Sequence, residues 1–267
     1  MKSHICYLLL TVISFSLKAQ YNWEKYDWLE HPEYNVIPDS LTDKDIVFTT
    51  NTRIIEFAYD PEDHELTEFQ LVHRKLLLKT EEVVSANNKV YIPVYDENPP
   101  MVEKGRVILP NGTVKDLDAS AIKEGTDEES GTTYRYFAFE GIEAGSEIEY
   151  MYVIEKQPDY TGSLYTIQDN VPSYNVLVEL YTPSNLLFAT KSYNNIPDFV
   201  QDTSVKDYNR WVLKIDTLEA YKSERVSFSE PFKGSYAYKL DKNTYTNKSD
   251  LVSYGFIAQT IFGNYTR

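Results

Sequence analysis

Cysteine is almost absent from this chain. Cys6 is the only one in 267 residues, and it falls inside the apolar run Ile5 to Leu17. Lys2 and His4 precede that run and Ala19 follows it, which is the layout of a secretory signal. The run is shorter than the roughly 20 apolar residues that a membrane span needs. Residues 1–19 are therefore expected to be a cleaved signal and Gln20 the mature N-terminus. A lipidated cysteine would sit at the end of such a run, and Cys6 sits at its start. The mature chain then has no disulfide, thiolate ligand or thiol nucleophile, and core packing alone must hold it together. No later segment is apolar enough to span a membrane. The expectation is an exported protein, periplasmic or at the cell surface, without stable membrane insertion.

Other absences narrow the chemistry. There are only ten glycines, and neither a phosphate-cradling loop nor a dinucleotide fingerprint occurs. No Gly-x-Ser-x-Gly elbow is present. The four histidines, His4, His31, His64 and His73, include no His-Glu-x-x-His pair. His73 reads as a surface or cross-strand residue. No cofactor and no catalytic residue is assigned. Basic residues are also few, giving a net charge of −15. Nucleic acid and anionic lipid are polyanions, so both are excluded as partners.

Carboxylates are plentiful. Asp60, Glu62 and Asp63 crowd one loop, and Asp127, Glu128 and Glu129 another; either set can be drawn as a loose Ca²⁺ site, but neither follows the EF-hand template. Glu147 and Glu149 are two apart in a strand and share a face. A glycosidase-like pair is one reading. Ion pairing with Arg106 or Arg135 is the stronger one, because unpaired like charges on one face repel.

Tyrosine is abundant, 23 residues against 12 phenylalanines. Its ring packs and its hydroxyl meets water, which suits half-exposed strands and contact surfaces. Tyr134, Tyr136, Tyr150 and Tyr152 form the candidate ligand platform, for a glycan or peptide. Residues 20–51 read as an irregular lead-in, with Trp23 and Trp28 as anchors. From Thr52 onward short strands dominate: 53–59, 66–79, 89–95, 102–109, 114–117, 133–139, 146–155, 173–181, 186–192 and 210–215. Val90, Ile92 and Val94 alternate with Tyr91 and Tyr95, and Pro93 marks an edge strand. Asn111-Gly112 predicts a tight hairpin with positive φ angles, 124–131 a polar loop, and 141–145 a turn that pairs strand 133–139 with 146–155. The pattern predicts an all-β fold, an antiparallel β-sandwich over 52–240. Residues 241–267 read as a linker and a short C-terminal helix. Ser249-Asp250 supplies its N-cap, and Leu251, Tyr254, Ala258, Ile261 and Phe262 fall at helical spacing.

Three segments, Val107-Ile108-Leu109-Pro110-Asn111-Gly112-Thr113-Val114, Tyr136-Phe137-Ala138-Phe139 and Ala144-Gly145-Ser146-Glu147-Ile148-Glu149-Tyr150, carry a resemblance in their order and spacing. So do Arg210-Trp211, Leu218-Glu219-Ala220, Glu224 and Ser229-Glu230-Pro231. Together they resemble the domain of unknown function 3857 over roughly Thr52 to Lys239. The Lys-Ala-Gln start is also similar to signals common in Bacteroidota, where that family is abundant. The resemblance implies an extracytoplasmic β-sandwich that precedes a transglutaminase-like domain with a Cys-His-Asp triad. That triad maps to no residue here. The expected function is a non-catalytic module accessory to such a transglutaminase- or protease-like domain. The alternative is a stand-alone glycan- or peptide-binding module.

Overall fold

In the computed structural model the described residues are 21–249, except 31, 33, 96–97, 130 and 223–229. The expected signal, His31 and the body of the expected C-terminal helix lie outside them. The strands are β1 (Ile46–Tyr59), β2 (Leu66–Leu78), β3 (Lys89–Pro93), β4 (Val102–Ile108), β5 (Val114–Asp116), β6 (Lys123–Thr126), β7 (Thr133–Ala138), β8 (Ser146–Lys156), β9 (Thr161–Thr166), β10 (Ser173–Pro183), β11 (Leu186–Tyr193), β12 (Val200–Asp202), β13 (Tyr208–Leu218), β14 (Ser235–Asn243) and β15 (Lys248–Ser249). One short helix, α1 (Glu81–Asn87), is capped by Thr80, whose hydroxyl accepts from the Val83 amide. The chain is all-β, as its alternating β-branched and aromatic residues predict.

β1 and β2 form the axis. They pair antiparallel along almost their whole length, from Ile46 opposite Leu78 to Tyr59 opposite Leu66. Around them grows an eight-stranded sheet in the order β12-β13-β10-β1-β2-β8-β4-β5. Two small sheets accompany it: β3-β7-β6, and β11-β14-β15 with β9 also paired to β14.

Side-chain alternation sends one face of the long sheet toward the small sheets. At one end Phe48, Leu76, Leu78, Val107 and Ile148 pack with Val90, Ile92, Phe137 and Phe139 of the three-stranded sheet. At the other end Ile55, Phe57, Val178, Leu180 and Trp211 pack with Phe188, Tyr236, Tyr238 and Leu240 of the four-stranded sheet. The opposite face of the long sheet carries Ile54, Leu71, Met151 and Val153, and Trp23, Tyr26 and Trp28 of the lead-in pack on it. The two tryptophans are the anchors the sequence predicts. β3 is an edge strand, also as predicted.

Five expectations change. β1 and β10 run parallel, so the sheet is not purely antiparallel. The chain reaches β10 only after many intervening strands, a crossover long enough to permit parallel entry. β7 does not pair with β8. It pairs with β3 and β6, because Phe137 and Phe139 point into a core between two sheets. The expected loop 124–131 begins as β6, and only Asp127 to Gly131 forms the turn. At Asn111-Gly112 only Gly112 takes positive φ, at 83°. Leu109 N–H donates to Thr113 O and Gly112 N–H to Leu109 O, closing a three-residue loop that needs one left-handed residue. The regular structure also starts earlier than Thr52, since β1 begins at Ile46.

Phe137 is 1% exposed in the core under the three-stranded sheet. Phe137→Ala is expected to cost about 3–5 kcal/mol, the usual range for truncating a buried ring. A urea midpoint unchanged from wild type would show that this sheet adds nothing to the cooperative unit.

Candidate functional site

Before β1 the lead-in makes no strand pairing among the described residues. It is held by side chains that stand in a row on the outer face of the long sheet. Glu56 of β1 is fully buried, and its carboxylate accepts from the backbone amides of Asn22 and Trp23 at 3.0 and 2.9 Å. Burial pushes the Glu56 carboxyl above its usual range, against the pull of those amides. Tyr26 Oη lies 2.7 Å from His73 Nδ1. His73 Nε2 in turn donates to Glu149 at 2.8 Å, since a carboxylate can only accept. Arg106 Nε donates to the other Glu149 oxygen at 2.6 Å, and its Nη1 to Leu29 O at 2.6 Å. The Arg106 guanidinium lies 4.2 Å from the Trp28 ring centroid, a cation–π contact. Further along, Lys75 pairs with Glu147 at 3.0 Å, and Glu147 also accepts from Thr49 and from the Asn35 amide.

The carboxylate pair Glu147 and Glu149 is thus brought onto one face, as its spacing predicts, and both members are consumed. Arg106 is a partner of Glu149, as expected. Arg135 is not part of this row and pairs with Glu103 at 2.7 Å. His73 is a cross-strand residue, but at 7% exposure it belongs to the interior. For Glu149, burial raises the carboxyl, yet the hydrogen bonds from His73 and Arg106 outweigh it and hold the group below its usual range.

Where this row meets the sheet edge, an open groove of about 430 Å³ lies between the lead-in and β4–β5. Trp28, Glu30, Lys104, Arg106 and Asp116 line it. Glu103, which also lines it, is taken by Arg135, and Arg106 by Glu149.

The four predicted platform tyrosines separate. Tyr134 and Tyr136 stand on the outer face of the three-stranded sheet. There they join Tyr91, with ring centroids 5.5 and 6.0 Å from it, and Tyr91 is 58% exposed. The Tyr134 ring lies over Gly125, where an added Cβ would come within 2.9 Å. Tyr150 and Tyr152 instead face inward from β8 against the core, because their parity on that strand is opposite to Glu149. A common platform of all four is therefore excluded by geometry. Tyr91 is the residue the reading missed, although its register opposite Tyr136 follows from the same alternation.

The acidic loops serve as turns. Asp60 accepts from the Glu62 and Asp63 amides, Asp63 from Glu65, and Asp127 from Glu129. Among the described residues no three His, Cys, Asp or Glu side chains are grouped to hold a metal ion. His64 sits exposed in the β1–β2 turn at φ 62°. Ser120 and Lys123 stand at Ser-x-x-Lys spacing, and both are exposed.

Residues 98–222 match the family described as Domain of Unknown Function with solved-structure structure (DUF3857). The match lies inside the wider span of the motif resemblance. A crystal structure from Parabacteroides distasonis, of a protein named as a candidate protease, superposes with a TM-score of 0.62 at 14% identity. The superposition covers 73% of this chain and 40% of that one, so the chain spans well under half of that protein. Yeast LTA4 hydrolase (TM-score 0.38, 10% identity, 74% of this chain and 30% of that one) is more distant. So is an M1 zinc metallopeptidase from Deinococcus radiodurans (TM-score 0.39, 7% identity, 74% and 43%). No curated protein matches the sequence.

Glu149→Gln leaves Arg106 and His73 facing a neutral group, and at pH 7 it is expected to cost about 3–5 kcal/mol. Because the folded-state pKa of Glu149 is depressed, its charge stabilises the fold above the ordinary carboxylate pKa of about 4.3 and loses that effect as pH falls through the lower, folded value. The gap between wild type and variant in urea unfolding should therefore narrow from pH 7 toward pH 3. A gap of constant size would mean that the charge of Glu149 is not what holds the row.

Proposed function

Because the chain carries a DUF3857 region over residues 98–222, we propose that it is an exported, non-catalytic module accessory to a transglutaminase- or protease-like domain. The observation that carries the non-catalytic half is the fate of Glu147 and Glu149. Both are buried, and each is locked to cations and to the face that holds the lead-in. A general acid or base needs a free lone pair or proton within reach of substrate, and these two carboxylates spend theirs on the fold. The accessory half is supported by the superposition on only 40% of the P. distasonis protein, whose candidate name is protease. The open groove beside Trp28 and Lys104 is the surface we assign to a neighbouring domain.

Reading the coding DNA past codon 267 tests the accessory half. A continuing frame with a Cys, His and Asp in transglutaminase-like order is the expected result. A frame that ends there, or runs on without that pattern, would sink it. The purified chain is also expected to show no turnover on peptide or glutamine–lysine cross-linking substrates. Export predicts Gln20 as the first residue of the protein recovered outside the cytoplasm, read by N-terminal sequencing.

One observation favours a second reading, a glycan- or peptide-binding module. Tyr91, Tyr134 and Tyr136 present a ringed patch on an outer sheet face, and aromatic faces suit sugar rings and proline. Absence of binding at millimolar concentration on glycan and peptide arrays would remove it.

A further inference from the structure

The two cores on the inner face of the long sheet leave a seam between them. Register places Arg53 of β1 between Val72 of β2 and Val178 of β10. Arg74 of β2 lies between Asn51 of β1 and Tyr150 of β8, and Tyr152 of β8 stands opposite Val72. Alternation turns Arg53, Arg74 and Tyr152 toward the small sheets, and all three are half-buried rather than sealed. Tyr236 of the four-stranded sheet closes the seam from above and is 1% exposed.

Neither arginine forms an ion pair with a carboxylate among the described residues, in a chain whose acids outnumber its bases by 15 charges. The Arg74 guanidinium lies 5.1 Å over the Phe48 ring, and its buried Nε has no hydrogen-bond partner among the described residues. The buried Tyr236 hydroxyl has none either. Arg53 is close enough to act on the hydroxyls of Tyr236 and Tyr152, and Arg74 on that of Tyr152. Arg53 also approaches the Tyr236 oxygen as a donor. Among the described residues Glu68 is the acid that acts on Tyr236, and it is filled by Lys156, Gln70, Tyr238 and the Asp159 amide.

The seam therefore gathers more donors than acceptors, two guanidiniums and two phenols with no free carboxylate among the described side chains that face them. A guanidinium offers five N–H groups and accepts none. Burial keeps the Tyr152 and Tyr236 phenols protonated, so they too can donate. Buried polar groups are normally satisfied, and those left over call for a partner.

We propose that the seam is an oxyanion-binding site, in which a carboxylate or phosphate group sits between Arg53 and Arg74 and accepts from the hydroxyls of Tyr152 and Tyr236. Charge-assisted bonds of this kind are the strong ones, and the fork of a guanidinium matches two oxygens at once.

Thermal unfolding of the purified chain tests the site, with inorganic phosphate, acetate and a polyglutamate peptide each compared with chloride at equal ionic strength. A ligand that binds only the folded state raises Tm with its concentration, here by a few degrees once the site is saturated. The rise is expected to vanish in Arg74→Gln and to weaken in Tyr152→Phe. The latter removes one oxygen and keeps the ring, so it carries the test if Arg74→Gln does not fold. A rise with phosphate alone assigns a phosphate ligand. A rise with acetate and the acidic peptide assigns a carboxylate. The proposal is overturned if no probe exceeds chloride, or if the variants respond as the wild type does.

Discussion

The carboxylate of Glu149 is the point on which the outer face of the sheet depends. It joins β8 to β2 through His73 and to β4 through Arg106, and each of those partners reaches on to the lead-in, at Tyr26 and at Leu29. A charge taken out of water is costly and is repaid only when its lone pairs are filled with good geometry. Here both oxygens are filled. The same logic holds for Glu56, which takes two amides of the lead-in, and for Glu147, which takes Lys75, Thr49 and Asn35. Among the described residues of 21–37 there is no strand, only one short 3-10 turn at Trp23–Lys25. These residues are held by that row of charged side chains together with the packing of Trp23, Tyr26 and Trp28 on Ile54, Leu71, Met151 and Val153.

The two faces of the sheet accordingly do different work. The inner face is apolar at both ends, and hydrophobic burial there supplies the driving force without much directional preference. The outer face is rich in buried charge. A slip of one residue in the pairing of β2 with β8 would turn Glu147 and Glu149 into the apolar core and leave Lys75 and His73 without them. Charge thus penalises wrong registers that apolar packing alone would tolerate, in a sheet whose central strands run 14 and 13 residues and so have long edges to slide along.

The sequence made strands legible where one side of an alternation was apolar, as in β3 and β7. It hid them where both sides are polar and exposed, as in β6 and β9. β14 is absent from the predicted strands although Tyr236, Tyr238 and Leu240 alternate with Ala237, Lys239 and Asp241, and its place beside β11 has no local signal. Sharing of a face by Glu147 and Glu149 follows from period two, and so does their need for cations. Lys75 as the cation of Glu147, and His73 as a hydrogen-bond partner of Glu149, do not follow, because the register of two strands some 70 residues apart is fixed by tertiary packing. The scattering of the four tyrosines has the same origin. Tyr134 and Tyr136 share a parity with each other, and Tyr150 and Tyr152 likewise, but no local pattern tells which face of which sheet each pair occupies. The parallel entry of β10 is also a global fact, set by where a long connection returns.

The seam with Arg53 and Arg74 is a consequence of lengths. At about 3.3 Å per residue, β1 is on the order of 45 Å long. The strands that pack over its two ends are much shorter: β3 and β7 have five and six residues, and β11 and β14 eight and nine. Two small sheets on one long sheet meet it as separate patches, each with its own apolar core, and the strip between them carries Arg53 and Arg74, which belong to neither core. An apolar side chain on that strip would face solvent, and a short polar one would leave a gap. Long side chains with a charged head solve both problems, since the stem covers sheet surface and the head stays near water. That argument accounts for long charged residues in the strip. It does not account for both being cations, placed diagonally on neighbouring strands beside two phenols and away from any free acid, because like charges so close repel. A structural role would have been met more cheaply by an arginine and a glutamate. The excess of positive charge at this one place, in an otherwise acidic protein, is what separates a site from a filler.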